Sequence, residues 1–155
     1  MAESATPATL LFGYGNPGRG DDGVGPELLE AMRQYLSVHD LMGDIECLTD
    51  MQLQIEHITD MVDRQRILFV DADLSCAEPC SLSIVLPAKD DSYTSHAMSP
   101  QALVYTYQQI YGVAPPDTYL LSIRAYQFEL GGGLCADARH NLSVALTVTK
   151  EFCAR

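Results

Sequence analysis

An apolar run from Leu10 to Tyr14 stops at Gly15, and after a polar, glycine-rich stretch Val24, Leu28, Met32 and Leu36 recur at every fourth position. The first pattern is that of a short buried strand and the second is the stripe of an amphipathic helix. A strand, a loop and a helix in immediate succession commit the chain to a βα unit, whose helix must cover one face of a sheet. Pro26 fits the first turn of this helix, where its missing N–H is not needed.

The same alternation continues. Ile45 to Leu48 reads as a second strand, and Leu53 to Met61 as a second helix with Leu53, His57, Ile58 and Met61 on one face. Arg66 to Val70 is the clearest buried strand and ends at Asp71. Ser81 to Leu86 reads as a fourth strand. The link from Asp73 to Cys80 is too short for the crossover that parallel neighbours need, so this strand is expected at an edge, antiparallel to the third. Ser99-Pro100 marks a helix start, with Ser as N-cap and Pro at the first helical position. Leu103, Tyr107, Ile110 and Tyr111 form its expected buried stripe, and Gly112 stops it. Thr118 to Ile123 makes a fifth strand, Gly131-Gly132-Gly133 a loop, and Leu142, Ala145, Leu146, Thr149 and Cys153 a terminal helix. The order βαβαββαβα predicts an α/β fold. It is a three-layer αβα sandwich of the phosphorylase/hydrolase-like kind, with a five-stranded, mostly parallel twisted sheet and one antiparallel edge strand.

Composition sets the limits. With 155 residues, 47% hydrophobic and 19% charged, the chain suits one domain spanning 1–155, which hides roughly 70% of the unfolded surface. The formal charge of −12 opposes a nucleic-acid partner, because such affinity draws on Lys and Arg neutralising phosphates, and opposes an anionic membrane surface too. No apolar run approaches the ~20 residues that span a bilayer. The start of the chain lacks a basic segment followed by a long apolar core, so a cytoplasmic protein is expected. Five cysteines at irregular spacing suit reduced thiols; Cys76 and Cys80 have no second Cys or His pair at zinc spacing.

The loop after the first strand allows three readings. Gly13-Tyr14-Gly15-Asn16-Pro17-Gly18 formally matches the dinucleotide-binding G-x-G-x-x-G. Against it, Pro17 removes a backbone donor and Asp21-Asp22 stand where a pyrophosphate would lie. Gly15-Asn16-Pro17-Gly18 also resembles the opening of bacterial peptidyl-tRNA hydrolases, but the histidine that follows it there is absent; the first here is His39, beyond the helix. The third reading keeps the aspartates. Gly15-Asn16 followed by Asp21-Asp22-Gly23-Val24-Gly25 resembles the Gly-Asn-x-x-x-x-Asp-Asp-Gly-x-Gly signature of the hydrogenase maturation proteases.

That resemblance places the family's first acid on Asp22, its second on Asp71 in Phe69-Val70-Asp71-Ala72, and its histidine on His96 in Ser95-His96-Ala97-Met98. It implies an endopeptidase that removes the C-terminal extension of a NiFe-hydrogenase large-subunit precursor after nickel insertion. Asp22, Asp71 and His96 would engage nickel supplied by the substrate, in a protein expected to be monomeric. The likeness covers the order of elements across the domain and weakens after the fifth strand, where Ile123-Arg124-Ala125-Tyr126-Gln127-Phe128-Glu129 departs from the family's Gly-x-x-Pro-Glu. Substrate selectivity is the property this touches.

Physical chemistry gives the trio a rationale. The first and third strands of a doubly wound sheet are neighbours where strand order reverses, so Asp22 and Asp71 should share a crevice. Two close carboxylates repel unless a cation neutralises them, and an imidazole would complete an O, O, N set suited to a borderline divalent metal. Each residue also has an ordinary alternative. Asp22 can favour the positive end of the first helix, worth up to about 1 kcal/mol, and a lone histidine is often simply solvated or packed. His57 is expected to be packed, and His39 and His140 solvated. Asp73 and Asp90-Asp91 read as a solvated acidic loop, and Gly131-Gly132-Gly133 as either a lid or a turn. Two other functions stay open: a nickel-carrying accessory protein without protease activity, and a small dinucleotide-binding module.

Overall fold

A computed structural model describes residues 5–89 and 97–155. Five strands form one sheet in the order β2-β1-β3-β5-β4: β1 Thr9–Tyr14, β2 Ile45–Asp50, β3 Arg66–Asp73, β4 Cys80–Ile84 and β5 Asp117–Arg124. The first three and β5 run parallel, and β4 runs antiparallel along one edge. Three α-helices complete the architecture, α1 Val24–Val38, α2 Pro100–Tyr111 and α3 Ala136–Ala154. This is the expected α/β sandwich with a mostly parallel sheet.

Alternation along the central strands sends side chains into two cores. Leu11, Leu68, Val70, Leu121 and Ile123 pack against Leu28, Met32 and Leu36 of α1 and Ala145 and Phe152 of α3. On the opposite face Leu10, Phe12, Tyr14, Ile67 and Phe69 meet Ile58, Met61 and the Leu103, Val104 and Tyr107 stripe of α2. The predicted stripe of α1 is fully buried at all four positions.

Several expectations are corrected. β4 is an antiparallel edge strand, but its neighbour is β5 and not β3. An eight-residue parallel ladder joins β5 to β3, with Leu121 and Ile123 fully buried, so β5 takes the central place and leaves the edge to the half-exposed β4. The segment expected as a second α-helix is a 3-10 helix, Ile55–Met61, although Leu53, His57, Ile58 and Met61 are all buried as the pattern required. In α2 burial ends with Tyr107, whereas Ile110 and Tyr111 are exposed; Tyr111 instead lies against the Tyr107 ring at 4.8 Å. The caps of α2 are as expected. Ser99 accepts the Ala102 N–H at 3.1 Å, and Gly112 closes the helix with φ 67°.

What positions the site is the close approach of α1 to the sheet. A Cβ on Gly25, in the first turn of α1, would stand 2.8 Å from the Val70 carbonyl and 2.9 Å from that of Tyr14. Both are main-chain atoms of adjacent strands, so neither can turn aside. Gly25→Ala is therefore expected to cost about 1–3 kcal/mol, the overpacking range, read as a lower denaturation midpoint in urea at unchanged slope.

Candidate active site

The strand order reverses between β1 and β3, which is where open α/β sheets leave a crevice beyond the carboxyl ends of the strands. Both aspartates lie there. Asp71 is the sixth residue of β3 and stands one step past the Gly13–Val70 pair, beside the end of β1. Because Ile67 and Phe69 face the α2 side, two-residue alternation puts the Asp71 side chain there as well. It is level with Ser122 of β5, which pairs with Ser81 of β4, while Tyr14 of β1 pairs with Asp50 of β2. A row of polar side chains thus crosses the end of the sheet.

Burial pushes the Asp71 carboxyl up to about 7, and the neighbouring charges of Asp22 and Asp73 add to the effect. Hydrogen bonds from the Tyr14 hydroxyl and the Ala72 N–H offset part of it. The Tyr14 hydroxyl is itself raised well above the usual range, first by burial and then by the Asp71 charge, so it stays a donor.

Asp22 comes from the 3-10 turn Gly20–Gly23 that leads into α1. One carboxylate oxygen accepts the Asn16 N–H at 2.9 Å, which closes the loop on itself. Gly15 makes this possible. Its φ is 146°, and a Cβ there would stand 2.0 Å from the Asp22 carbonyl oxygen and 3.3 Å from its Oδ1. Among the described residues, neither Asp22 nor Asp71 has a salt-bridge partner. His96, the third residue of the expected trio, lies outside the described residues, as do Asp90 and Asp91. Among the described residues no three His, Cys, Asp or Glu side chains group in a way that could hold a metal ion, Cys76 and Cys80 included.

The residue that sequence reasoning passed over is Asp21. Its neighbour faces the crevice, but Asp21 is fully buried and turned the other way. Its carboxylate accepts the N–H groups of Tyr126 at 2.9 Å, Gln127 at 3.2 Å and Cys135 at 2.8 Å. The Gln127 side-chain amide adds a contact at 3.3 Å and the Cys135 thiol another at 3.2 Å. The Asp21 N–H in turn donates to the Gln127 carbonyl at 2.9 Å. Burial alone would raise this carboxyl, but the donors from Cys135, Tyr126 and Gln127 outweigh it and hold it below the usual range. One side chain therefore ties the site loop to the segment after β5 and to the start of α3.

Asp73 and His57 have structural partners. Asp73 sits in a turn, accepting the Ser75 N–H at 2.8 Å and the Cys76 N–H at 3.2 Å. His57 is buried and packs edge-on to Phe12. Its Nδ1 accepts the Gln54 N–H at 2.8 Å, which leaves the proton on Nε2, 3.0 Å from Asp50 Oδ2. His39 and His140 are exposed, as expected. No helix among the described residues is long and apolar enough to cross a membrane.

No protein family and no curated protein matches the sequence. Solved structures do match. A [NiFe] hydrogenase maturation protease HycI from Thermococcus kodakarensis does so with a TM-score of 0.72 at 16% identity, over 97% of this chain and 94% of its own. The hydrogenase maturating endopeptidase HybD from E. coli gives 0.67 at 20% identity, over 91% and 88%. A hydrogenase 2 maturation peptidase from a Thaumarchaeota archaeon gives 0.63 at 22% identity, over 94% and 97%. The chain has the fold of the hydrogenase maturation proteases. Within that fold, Asp22 and Asp71 occupy the mouth of the crevice and Asp21 fastens its rim.

Two expectations separate these acids. The folded state favours protonated Asp71 and so binds more protons than the unfolded chain between the ordinary carboxylate value of 3.8 and about 7. Its burial therefore costs stability progressively as pH rises through that window and fully above it. Asp71→Asn should raise the stability of the metal-free protein at pH 8 by on the order of 3 kcal/mol, a gain that closes toward pH 4 in urea titrations. Asp21 has the opposite sign. Its lowered value contributes stability that is complete above the unfolded value of 3.8 and fades in acid. Asp21→Ala should cost about 3 kcal/mol or more at pH 7, since buried donors lose their acceptor, whereas Asp22→Asn should cost under about 1 kcal/mol.

Proposed function

We propose that the protein is an endopeptidase of hydrogenase maturation, removing the C-terminal extension of a NiFe-hydrogenase large-subunit precursor after nickel insertion. The observation that carries this reading is the Asp22–Asp71 carboxylate pair at the β1/β3 crevice, supplied by two separate elements and without a cationic partner among the described residues. The shared fold supports it.

The donor chemistry of the site fits a substrate-borne divalent metal. Two carboxylates in a partly buried crevice repel each other, and a cation held between them removes that repulsion. Asp22 and Asp71 would hold the nickel of the precursor, and His96 is assigned the third position on the family resemblance alone. Nickel bound to the substrate would supply Lewis acidity at the peptide carbonyl. The chain's own contribution is positioning and proton transfer. The Asn16 N–H fixes one oxygen of Asp22, and the Tyr14 hydroxyl orients Asp71. The value of about 7 belongs to Asp71 without a cation, and a held nickel would bring it down. A carboxylate of the pair, Asp22 or Asp71, would accept a proton from the attacking water and return it to the leaving amine.

Incubation with nickel-loaded and nickel-free precursor, followed by mass measurement, tests this. Cleavage of the loaded precursor alone is expected, with Asp22→Asn and Asp71→Asn each slowing it by about a hundredfold or more. Equal cleavage of both precursors, or of neither, overturns the reading. Nickel binding without cleavage would mark an accessory protein instead.

A further inference from the structure

Two small cavities open along the outside of the site loop and share a wall. One, of about 270 Å³, lies between the Gly20–Gly23 turn and the Gly133-Leu134 segment, with Glu27 beside it. The other, of about 190 Å³, lies between Gly15 and the Thr49-Asp50-Met51 end of β2. Pro17 and Pro26 line both. Each falls below the ~300 Å³ at which pockets begin to enclose a whole small-molecule ligand. A single side chain is the scale that suits them.

Their chemistry narrows the occupant. Neither cavity is lined by Lys or Arg, and the guanidinium beside the first, that of Arg139, is taken up by Glu27. Glu27 lines one, ion-paired with Arg139 at 3.0 Å, and Asp50 lines the other, accepting the Met51 N–H at 2.7 Å and facing His57 Nε2 at 3.0 Å. Each carboxylate is thus already partnered, and a further acidic group meets a chain of formal charge −12. The remaining walls are mainly proline, glycine, leucine and methionine. An extended peptide carries alternate side chains on one face at ~6.6 Å spacing, and the two compartments adjoin across Pro17 and Pro26. The far wall is held in place: Arg19 and Leu130 form an antiparallel bridge, the Gly131 N–H reaches the Gly18 carbonyl at 2.9 Å, and Asp21 fastens Cys135. Pro17 of the partition belongs to the loop that presents Asp22, and Pro26 to the first turn of α1.

We propose that these compartments are successive side-chain subsites for an extended peptide crossing the site loop, taking uncharged or basic side chains and rejecting acidic ones. The inference rests on the peptidase reading and adds the path and chemistry of the substrate chain.

Amide spectra of the ¹⁵N-labelled full chain test it, titrated with a capped hexapeptide of alternating alanine and leucine and with versions carrying glutamate or lysine for leucine. Saturable shifts are expected at Gly15, Gly20, Gly23, Thr49, Met51 and Gly133, with the glutamate peptide binding at least about tenfold more weakly than the other two. Glu27→Lys should bring the glutamate peptide to within about threefold of the leucine one. Shifts confined elsewhere, no saturation, or equal affinity for the glutamate and leucine peptides would overturn the proposal. In precursor cleavage, Met51→Glu should raise KM about fivefold at unchanged kcat. If Met51→Glu and Glu27→Lys both cleave with wild-type KM, the subsites are wrong and the peptidase reading stands. If the wild type cleaves no precursor but the peptides map to the two cavities, the peptidase reading fails and the subsites stand.

Discussion

The Asp21 carboxylate is a buried charge with no ion-pair partner among the described residues. It survives because its oxygens are surrounded by donors, three of them main-chain N–H groups and two of them side chains. Such a group is costly to bury alone and strongly held once satisfied. Its consequence is architectural. The loop between β1 and α1, the segment after β5 and the start of α3 come from distant parts of the sequence, and they meet on one side chain. Asp22, the next residue, is thereby presented to the crevice from a loop that cannot drift.

The second constraint is the fit of α1 against β1 and β3. Gly25 lets the helix lie on the Val70 and Tyr14 carbonyls, and Gly15 lets the chain double back against Asp22. These contacts draw the start of α1 to the place where strand order reverses. The crevice is then lined by Asp22 from the loop and by Asp71 from β3, whose burial and acidic neighbours raise it to about 7. Electrostatic frustration of this kind is offset in part by the Tyr14 hydroxyl and the Ala72 N–H, which donate to Asp71.

Much of this was legible in the residues. Period-four stripes and short apolar runs gave the order of elements, and the brevity of the Asp73–Cys80 link identified an antiparallel edge strand. The edge strand's partner was not legible, because pairing with β5 is decided by a ladder to β3 formed much later in the chain. The Leu53–Met61 pattern announced burial correctly but could not distinguish a 3-10 helix from an α-helix over so few turns. Asp22 and Asp71 were visible as loop and strand-end acids. Asp21 was not, since its role depends on donors 105 to 114 residues away; the one available hint was that adjacent aspartates on a tight turn cannot both face the same crevice.

The way Asp21 holds its partners also governs which parts of the chain are free to change. Tyr126, Gln127 and Cys135 are each gripped through the backbone N–H, a group that every residue except proline possesses. A side chain within Tyr126–Glu129 can therefore be exchanged without removing the main-chain bonds to the site loop, whereas Ile123 and Ala125 are fixed by burial in the core. A segment fastened by its main chain can vary its exposed side chains while the carboxylates beside it stay where they are.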